Sequence, residues 1–157
     1  MRPISEVEKE IQSLERSKAY LFFVDDNLVG NLSHARELLA MLSHYRLRWV
    51  SQGPIHVAED EELVKLMAKA GCHGLFIGFE SLREENLELM GKRINRVEIY
   101  GKGIQRLHDA GIGVYGSFVF GYDYDDASIF DEFMEFAEAN RIEGAFLPIL
   151  TPFPGTR

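Results

Sequence analysis

Five apolar runs of strand length, alternating with segments of helical apolar spacing, constrain this chain more than any other feature. The runs cover residues 19–25, 46–51, 74–79, 113–120 and 144–150. The last two are rich in Val, Phe, Ile and Leu on both faces, as expected of strands buried on both sides. Between the runs, apolar residues recur at i, i+3, i+4 and i+7, the spacing of one helical face. Ala35, Leu38, Leu39 and Leu42 form one stripe, and Leu63, Leu66, Met67 and Ala70 another. Val97, Tyr100, Ile104 and Leu107 form a third, and Phe130, Phe133, Met134 and Ala137 a fourth. Val7, Ile11 and Leu14 mark an amphipathic helix with no strand before it.

Punctuation supports these boundaries. Ser33, Asp60, Asn95 and Ser128 stand where helix N-caps belong, and Asn95 with Glu98 has the spacing of a capping box. Gly71 and Gly111 follow Ala70 and Ala110, where a left-handed residue ends a helix. The order is therefore α–(βα)4–β in an α/β fold with a parallel sheet and right-handed crossovers. Periodicity alone leaves open whether the sheet closes into a (β/α) barrel or stays open and doubly wound.

At 157 residues and 46% hydrophobic, the chain supports one domain with a sizeable core. The net charge of −8 argues against nucleic acid or an anionic membrane as a direct partner and fits ordinary solubility. No apolar run approaches the roughly 18 residues of a membrane span. The lone cysteine, Cys72, excludes an internal disulfide and points to a reducing, cytoplasmic setting. It cannot supply the thiolates an iron–sulfur cluster needs. The five histidines are scattered, with no pair at metal-ligand spacing. Both ends read as cuts through a longer protein, so the expectation is one partial domain over residues 1–157, truncated at each end.

In a parallel architecture the ligand site lies at the C-terminal strand ends. Asp25, Asp26 and Asn27 follow the first run; Ser51, Gln52 and Gly53 follow the second; Glu80 and Ser81 follow the third. Gly121, Tyr122 and Asp123 follow the fourth, and Leu150 and Thr151 close the fifth. These positions hold carboxylates and neutral hydrogen-bonding groups with no Lys or Arg, a rim suited to a ligand with an ammonium group and hydroxyls. Asn31, Asp123, Asp125 and Asp126 are expected to cap helices, whereas Asp25, Asp26 and Glu80 stand directly at strand ends and are expected to act on a ligand.

Four blocks, in order, then resemble one family. Phe23-Val24-Asp25-Asp26-Asn27 with Gly30-Asn31 is similar to the second-strand motif of radical S-adenosylmethionine (SAM) enzymes in the group that often carries an N-terminal cobalamin-binding domain. Glu61-Glu62-Leu63 with Ala70-Gly71-Cys72 and Ile77-Gly78-Phe79-Glu80-Ser81 resembles the group's next block. Gly116-Ser117-Phe118-Val119-Phe120-Gly121 with Asp125, and Thr151-Pro152-Phe153-Pro154-Gly155-Thr156, resemble the blocks of the fifth and sixth strands. The resemblance implies a six-stranded partial barrel of which this chain holds strands two to six. It implies an enzyme that uses a [4Fe–4S] cluster to cleave SAM to methionine and a 5′-deoxyadenosyl radical, with cobalamin as a further cofactor of the group and an unknown substrate. It places Asp25 and Asp26 at the SAM amino group, Ser51, Gln52 and Glu80 near the ribose and methionine, and the stretches around Gly121 and Leu150 against the adenine, with Asn27 and Ser81 also among the cofactor-binding residues. The family's C-x3-C-x2-C cluster segment is not in this sequence, so the chain alone is expected to be inactive.

Two rival readings use the same tips. A divalent-metal-dependent barrel hydrolase would take Asp25, Asp26 and Glu80 as oxygen ligands. A non-enzymatic receiver-like domain would want an acceptor Asp after its third strand and a Lys after its fifth, where Glu80-Ser81 and Thr151-Pro152 stand. Absence of a first strand would also leave the 19–25 run with an open edge, expected to be covered by self-association or by the N-terminal helix.

Overall fold

The computed structural model describes residues 2–14, 20–92 and 95–155. Helix α1 (Ile4–Leu14) precedes strand β1 (Tyr20–Phe23), helix α2 (Leu32–Leu42) and strand β2 (Arg48–Gln52). A 3-10 turn (Ile55–Glu59) leads into α3 (Glu61–Lys69) and β3 (Cys72–Glu80). Helices α4 (Glu84–Leu89) and α5 (Val97–Asp109), strand β4 (Gly113–Phe118), helix α6 (Ile129–Ala139) and strand β5 (Gly144–Phe146) complete the chain. Ala19, the first residue of the expected β1, lies outside the described residues.

All strand pairs are parallel and the sheet order is β1-β2-β3-β4-β5. That order settles the architecture. A doubly wound sheet reverses direction at a switch point, whereas a barrel adds each strand on the same side of the last. The chain is thus a five-stranded arc of a (β/α) barrel with one helix-covered face and one lumen face.

Side-chain alternation assigns the two faces. Trp49, Leu75, Ile77, Phe79, Val114 and Phe118 point toward the helices, and each is 0–1% exposed. There they meet Ala35, Leu39 and Leu42 of α2, Leu63 and Met67 of α3, and Tyr100, Ile104 and Leu107 of α5, as the helical spacing predicts. Phe79 sits in the middle, stacked on Phe118 at 5.0 Å and edge-on to Tyr100 at 4.7 Å. The lumen face carries Tyr20, Phe22, Phe76, Tyr115 and Phe146, all partly open to solvent.

Some local expectations are corrected. The core face of α6 runs through Ile129, Phe133 and Phe136, while Phe130 and Met134 are each 53% exposed. Two overlapping stripes fit that sequence, and the position of Phe118 selects the one that reaches its ring. Asn31, not Ser33, caps α2 by accepting from the His34 N–H. Asp60 caps α3 as expected, accepting from the Leu63 N–H. Helix α4 has only six residues, too short to show a periodic stripe. Strand β5 ends at Phe146, earlier than expected, and pairing resumes only at the Phe120–Ile149 bridge. Pro148 has no N–H to give to a ladder, although its carbonyl accepts from Phe120.

Gly71 shows what its helix end requires. Its φ is +90°, and a Cβ there would lie 2.1 Å from the Leu47 carbonyl oxygen. The turn can therefore bring α3 against the base of β2 only with glycine at this position.

Candidate functional site

The parallel register brings every C-terminal strand end to one side of the sheet, and the tip of β3 is its most elaborate feature. Pairing with β4 slips between Gly78 and Glu80, leaving Phe79 as an extra residue in a bulge. The carbonyls freed by that slip are claimed from the helix side. Asn95 Nδ2 donates to the Gly78 and Phe79 oxygens at 3.0 and 3.1 Å, and the Tyr100 hydroxyl donates to Phe79 O at 2.9 Å. Asn95, expected as an N-cap, is instead a buried bracket of this bulge. The N-terminus of α5 is served by Glu84, whose Oε1 accepts from the Val97 N–H at 2.7 Å.

The bulge turns Glu80 into the lumen. Its φ is +70°, a conformation costly for a residue with a side chain. A Cβ at Gly78 would stand 2.7 Å from Glu80 Oε1, so glycine there makes room for the carboxylate. Glu80 Oε1 lies 2.5 Å from Lys92 Nζ. The rim thus holds a cation that strand-end reading missed. The available signal was Met90-Gly91: Gly91 has φ +67°, and the Lys92 N–H returns to Leu87 O, so the helix stop folds Lys92 back over the tip.

Gln52 and Glu80 share a lumen cavity of about 420 Å³ with Phe76, Gly78, Tyr115 and Ser117. Phe76 and Tyr115 are stacked 5.0 Å apart at 25° and form its aromatic floor. The cavity therefore offers an acid and an amide above a flat apolar surface.

The other expected site residues distribute differently. Asp25 and Asn27 line a separate groove between β1, α1 and α2, of about 400 Å³, and Asp26 is exposed and lines neither space. The β1 tip turns early because Asn27 Oδ1 accepts from the Val29 N–H and Asn27 O from Gly30. Ser51 and Ser81 do not face the cavity. Ser51 is fully buried on the helix side, its hydroxyl donating to Phe23 O at 3.0 Å. Ser81 Oγ accepts from the Arg83 N–H and from Asn86 Nδ2. A position at a strand end does not fix the face, because a one-residue change of phase inverts it. Gly121 and Leu150 do stand together: Gly121 has φ +99°, a Cβ there would be 3.7 Å from Leu150 Cβ, and the Leu150 N–H donates to Phe120 O at 2.7 Å.

Among the described residues no group of three or more His, Cys, Asp or Glu could hold a metal ion. A hydrolase built on Asp25, Asp26 and Glu80 needs those oxygens to converge, and they do not. Cys72 is buried and hydrogen-bonded toward Gly74 O, with its thiol pushed up to about 12 by burial. No helix among the described residues is long and apolar enough to cross a membrane.

Arg83 locks the neighbouring tips together. Its guanidinium binds Glu132, Asp126, Ser128 and the Tyr124 carbonyl, joining the loop after β3 to the start of α6. Hydrogen bonds from Ser128, then Arg83, hold the Asp126 carboxyl down to about 2, and Arg83 lowers Glu132 too. Carboxyls depressed on folding stabilise the junction above their ordinary range and lose that effect as pH falls through the folded value. The Ser128 amide shift, followed by NMR, should therefore titrate with its midpoint at about pH 2, and a midpoint at the ordinary aspartate value of 3.8 would contradict the lock.

The comparisons with known proteins agree with this geometry. The family model of the radical SAM superfamily matches residues 1–137, and the chain belongs to that superfamily. It is 33% identical over 153 residues to bacteriochlorophyllide d C-12(1)-methyltransferase of Chlorobaculum tepidum, covering 98% of this chain and 34% of that protein. It is 27% identical to hopanoid C-2 methylase of Rhodopseudomonas palustris, covering 98% and 30%. Among solved structures, the radical SAM methyltransferase TsrM from Kitasatospora setae, with cobalamin and a [4Fe–4S] cluster bound, superposes with a TM-score of 0.84 at 21% identity, covering 99% of this chain and 32% of that one. Methylornithine synthase superposes with a TM-score of 0.65 at 14% identity, covering 98% and 46%. The chain spans about a third of the length of the two methylating relatives and of TsrM.

Proposed function

We propose that the protein to which this chain belongs is a radical SAM methyltransferase, and that the tips of β2 to β5 form its SAM seat. The observation that carries the proposal is Glu80, held in a strained backbone conformation with its carboxylate in the lumen. Non-glycine residues persist in that region only where the surrounding fold imposes it. The relatives named as methylating enzymes supply the reaction class. Glu80 and Gln52 suit the polar ammonium and ribose groups of SAM, and the backbone around Gly121 and Leu150 suits its adenine. Asp25 and Asn27, on the separate β1 groove, and the exposed Asp26 beside them serve the strand and loop that complete the barrel there. On this chain alone the same open edge would favour self-association. The lone, buried and unpaired cysteine supports a reducing, cytoplasmic setting for this reading.

The residues present fit SAM but not the cluster. The single cysteine is buried and protonated at neutral pH, so the cluster ligands belong to other sequence of the whole protein. A cluster held by those ligands would supply the electron for SAM cleavage, and cobalamin, which TsrM holds, would serve as a methyl carrier in this reading. This chain's own contribution is positioning. Arg83, Asn95 and Tyr100 hold the tips rigid, Glu80 and Gln52 orient the polar end of SAM, and the Phe76–Tyr115 floor excludes water.

The full-length protein, reconstituted with iron, sulfide and cobalamin and reduced under anaerobic conditions, should turn SAM over to S-adenosylhomocysteine or 5′-deoxyadenosine. A reconstituted protein with an intact cluster spectrum that binds no SAM would contradict the assignment.

A further inference from the structure

Asn86 is fully buried on the short helix α4, and each hydrogen of its amide has a partner. Nδ2 donates to Asp125 Oδ1 at 2.7 Å and to Ser81 Oγ at 3.3 Å, while Oδ1 accepts from the Tyr124 N–H at 3.2 Å. The second oxygen of Asp125 accepts from the Gly121 and Tyr122 N–H groups at 2.8 and 3.1 Å. One side-chain pair therefore spans from the loop after β3 to the backbone of the turn after β4. At that turn Gly121 is left-handed and lies against Leu150.

We propose that Asn86 is a positioning residue for SAM: through Asp125 it fixes the backbone of the 120–124 turn against which the adenosine end of SAM binds. The inference rests on the reading of Gly121 and Leu150 as part of the SAM seat. The spacing after the fourth run predicts a capping role for Asp125 and no role for Asn86. The structure instead makes Asp125 the acceptor of two turn amides and Asn86 the donor that orients it. Only a residue that both donates and accepts serves here. Leucine would fill the volume but leave the Tyr124 N–H and an Asp125 oxygen without this partner at a half-buried junction. Aspartate would set a second carboxylate against Asp125. Exchange of the two residues keeps one amide and one carboxylate. The amide then at position 125 can accept from the Gly121 and Tyr122 N–H groups through its oxygen, and donate through its nitrogen to the carboxylate then at position 86.

The test compares N86D, D125N and the N86D/D125N exchange in the full-length protein. Two quantities are measured: SAM affinity by calorimetric titration, and hydrogen exchange at Gly121 and Tyr122 without SAM. Each single variant should weaken SAM by about tenfold or more and speed exchange at both amides by about as much. The exchange variant should return both to within about threefold of the parent. Faster amide exchange in N86D with unchanged SAM affinity would show a merely structural tie and overturn the inference. If N86D alone does not fold, the exchange variant decides: parental SAM affinity supports the pairing, and a tenfold loss overturns it. A parent that binds no SAM overturns the proposed function and this inference together. A parent that binds, beside single variants that bind equally well, overturns this inference alone.

Discussion

Replacing Phe79 with alanine should destabilise the chain by about 3–5 kcal/mol, the range for deleting a buried phenylalanine from a core that cannot collapse around the gap. Phe79 is 0% exposed and touches the rings of Tyr100, Phe118 and Phe136, which come from a helix, a strand and another helix. Its neighbours are held by their own bonds, Tyr100 through its hydroxyl to Phe79 O, so they are poorly placed to fill the space. Urea unfolding followed through Trp49, the chain's one tryptophan, would measure the loss. Trp49 is fully buried and its indole N–H donates to Ala70 O, so its emission reports the sheet–helix interface. A loss under about 1 kcal/mol would mean that the ring cluster is not the centre of the core.

That cluster also shows what pattern reading can reach. The apolar stripes of α2, α3 and α5 appear in the packed structure with the residues their spacing names, because burial on one helical face is a local property. The parallel α/β class follows from the same periodicity. The choice of barrel over doubly wound sheet does not, since strand order depends on contacts remote in sequence. Counting to strand ends reaches Gln52 and Glu80, which line the lumen cavity. The same count reaches Ser51 and Ser81, which face elsewhere, because it fixes the end of the sheet but not the side on which a side chain emerges. Lys92 and Asn86 lay beyond that method. Each reaches its place through a turn or a short helix far along the chain, and only tertiary pairing with Glu80 and Asp125 reveals it.

Glu80→Gly should weaken SAM binding by about 10- to 100-fold while leaving the fold intact or slightly more stable. The loss follows from removing a charge-assisted hydrogen bond of about 1.5–3 kcal/mol. The stability effect has the opposite sign: glycine relieves a φ of +70° that costs a side-chain-bearing residue about 1–2 kcal/mol. The pair with Lys92 is lost as well, but Lys92 is half exposed and such pairs contribute about 0–1 kcal/mol. Calorimetric titration with SAM beside thermal unfolding of the same sample separates the two. Strain retained at the cost of stability is the signature of a residue kept for binding. Glu80→Gly with parental SAM affinity would remove Glu80 from the seat.

The most direct measurement is a crystal structure of the cluster-loaded, full-length protein with SAM bound. Glu80 and Gln52 should lie within hydrogen-bonding distance of the polar groups of SAM, with its adenine against the Gly121–Leu150 backbone. A nucleoside bound away from the C-terminal tips of β2 to β5, with Glu80 still paired only to Lys92, would contradict it.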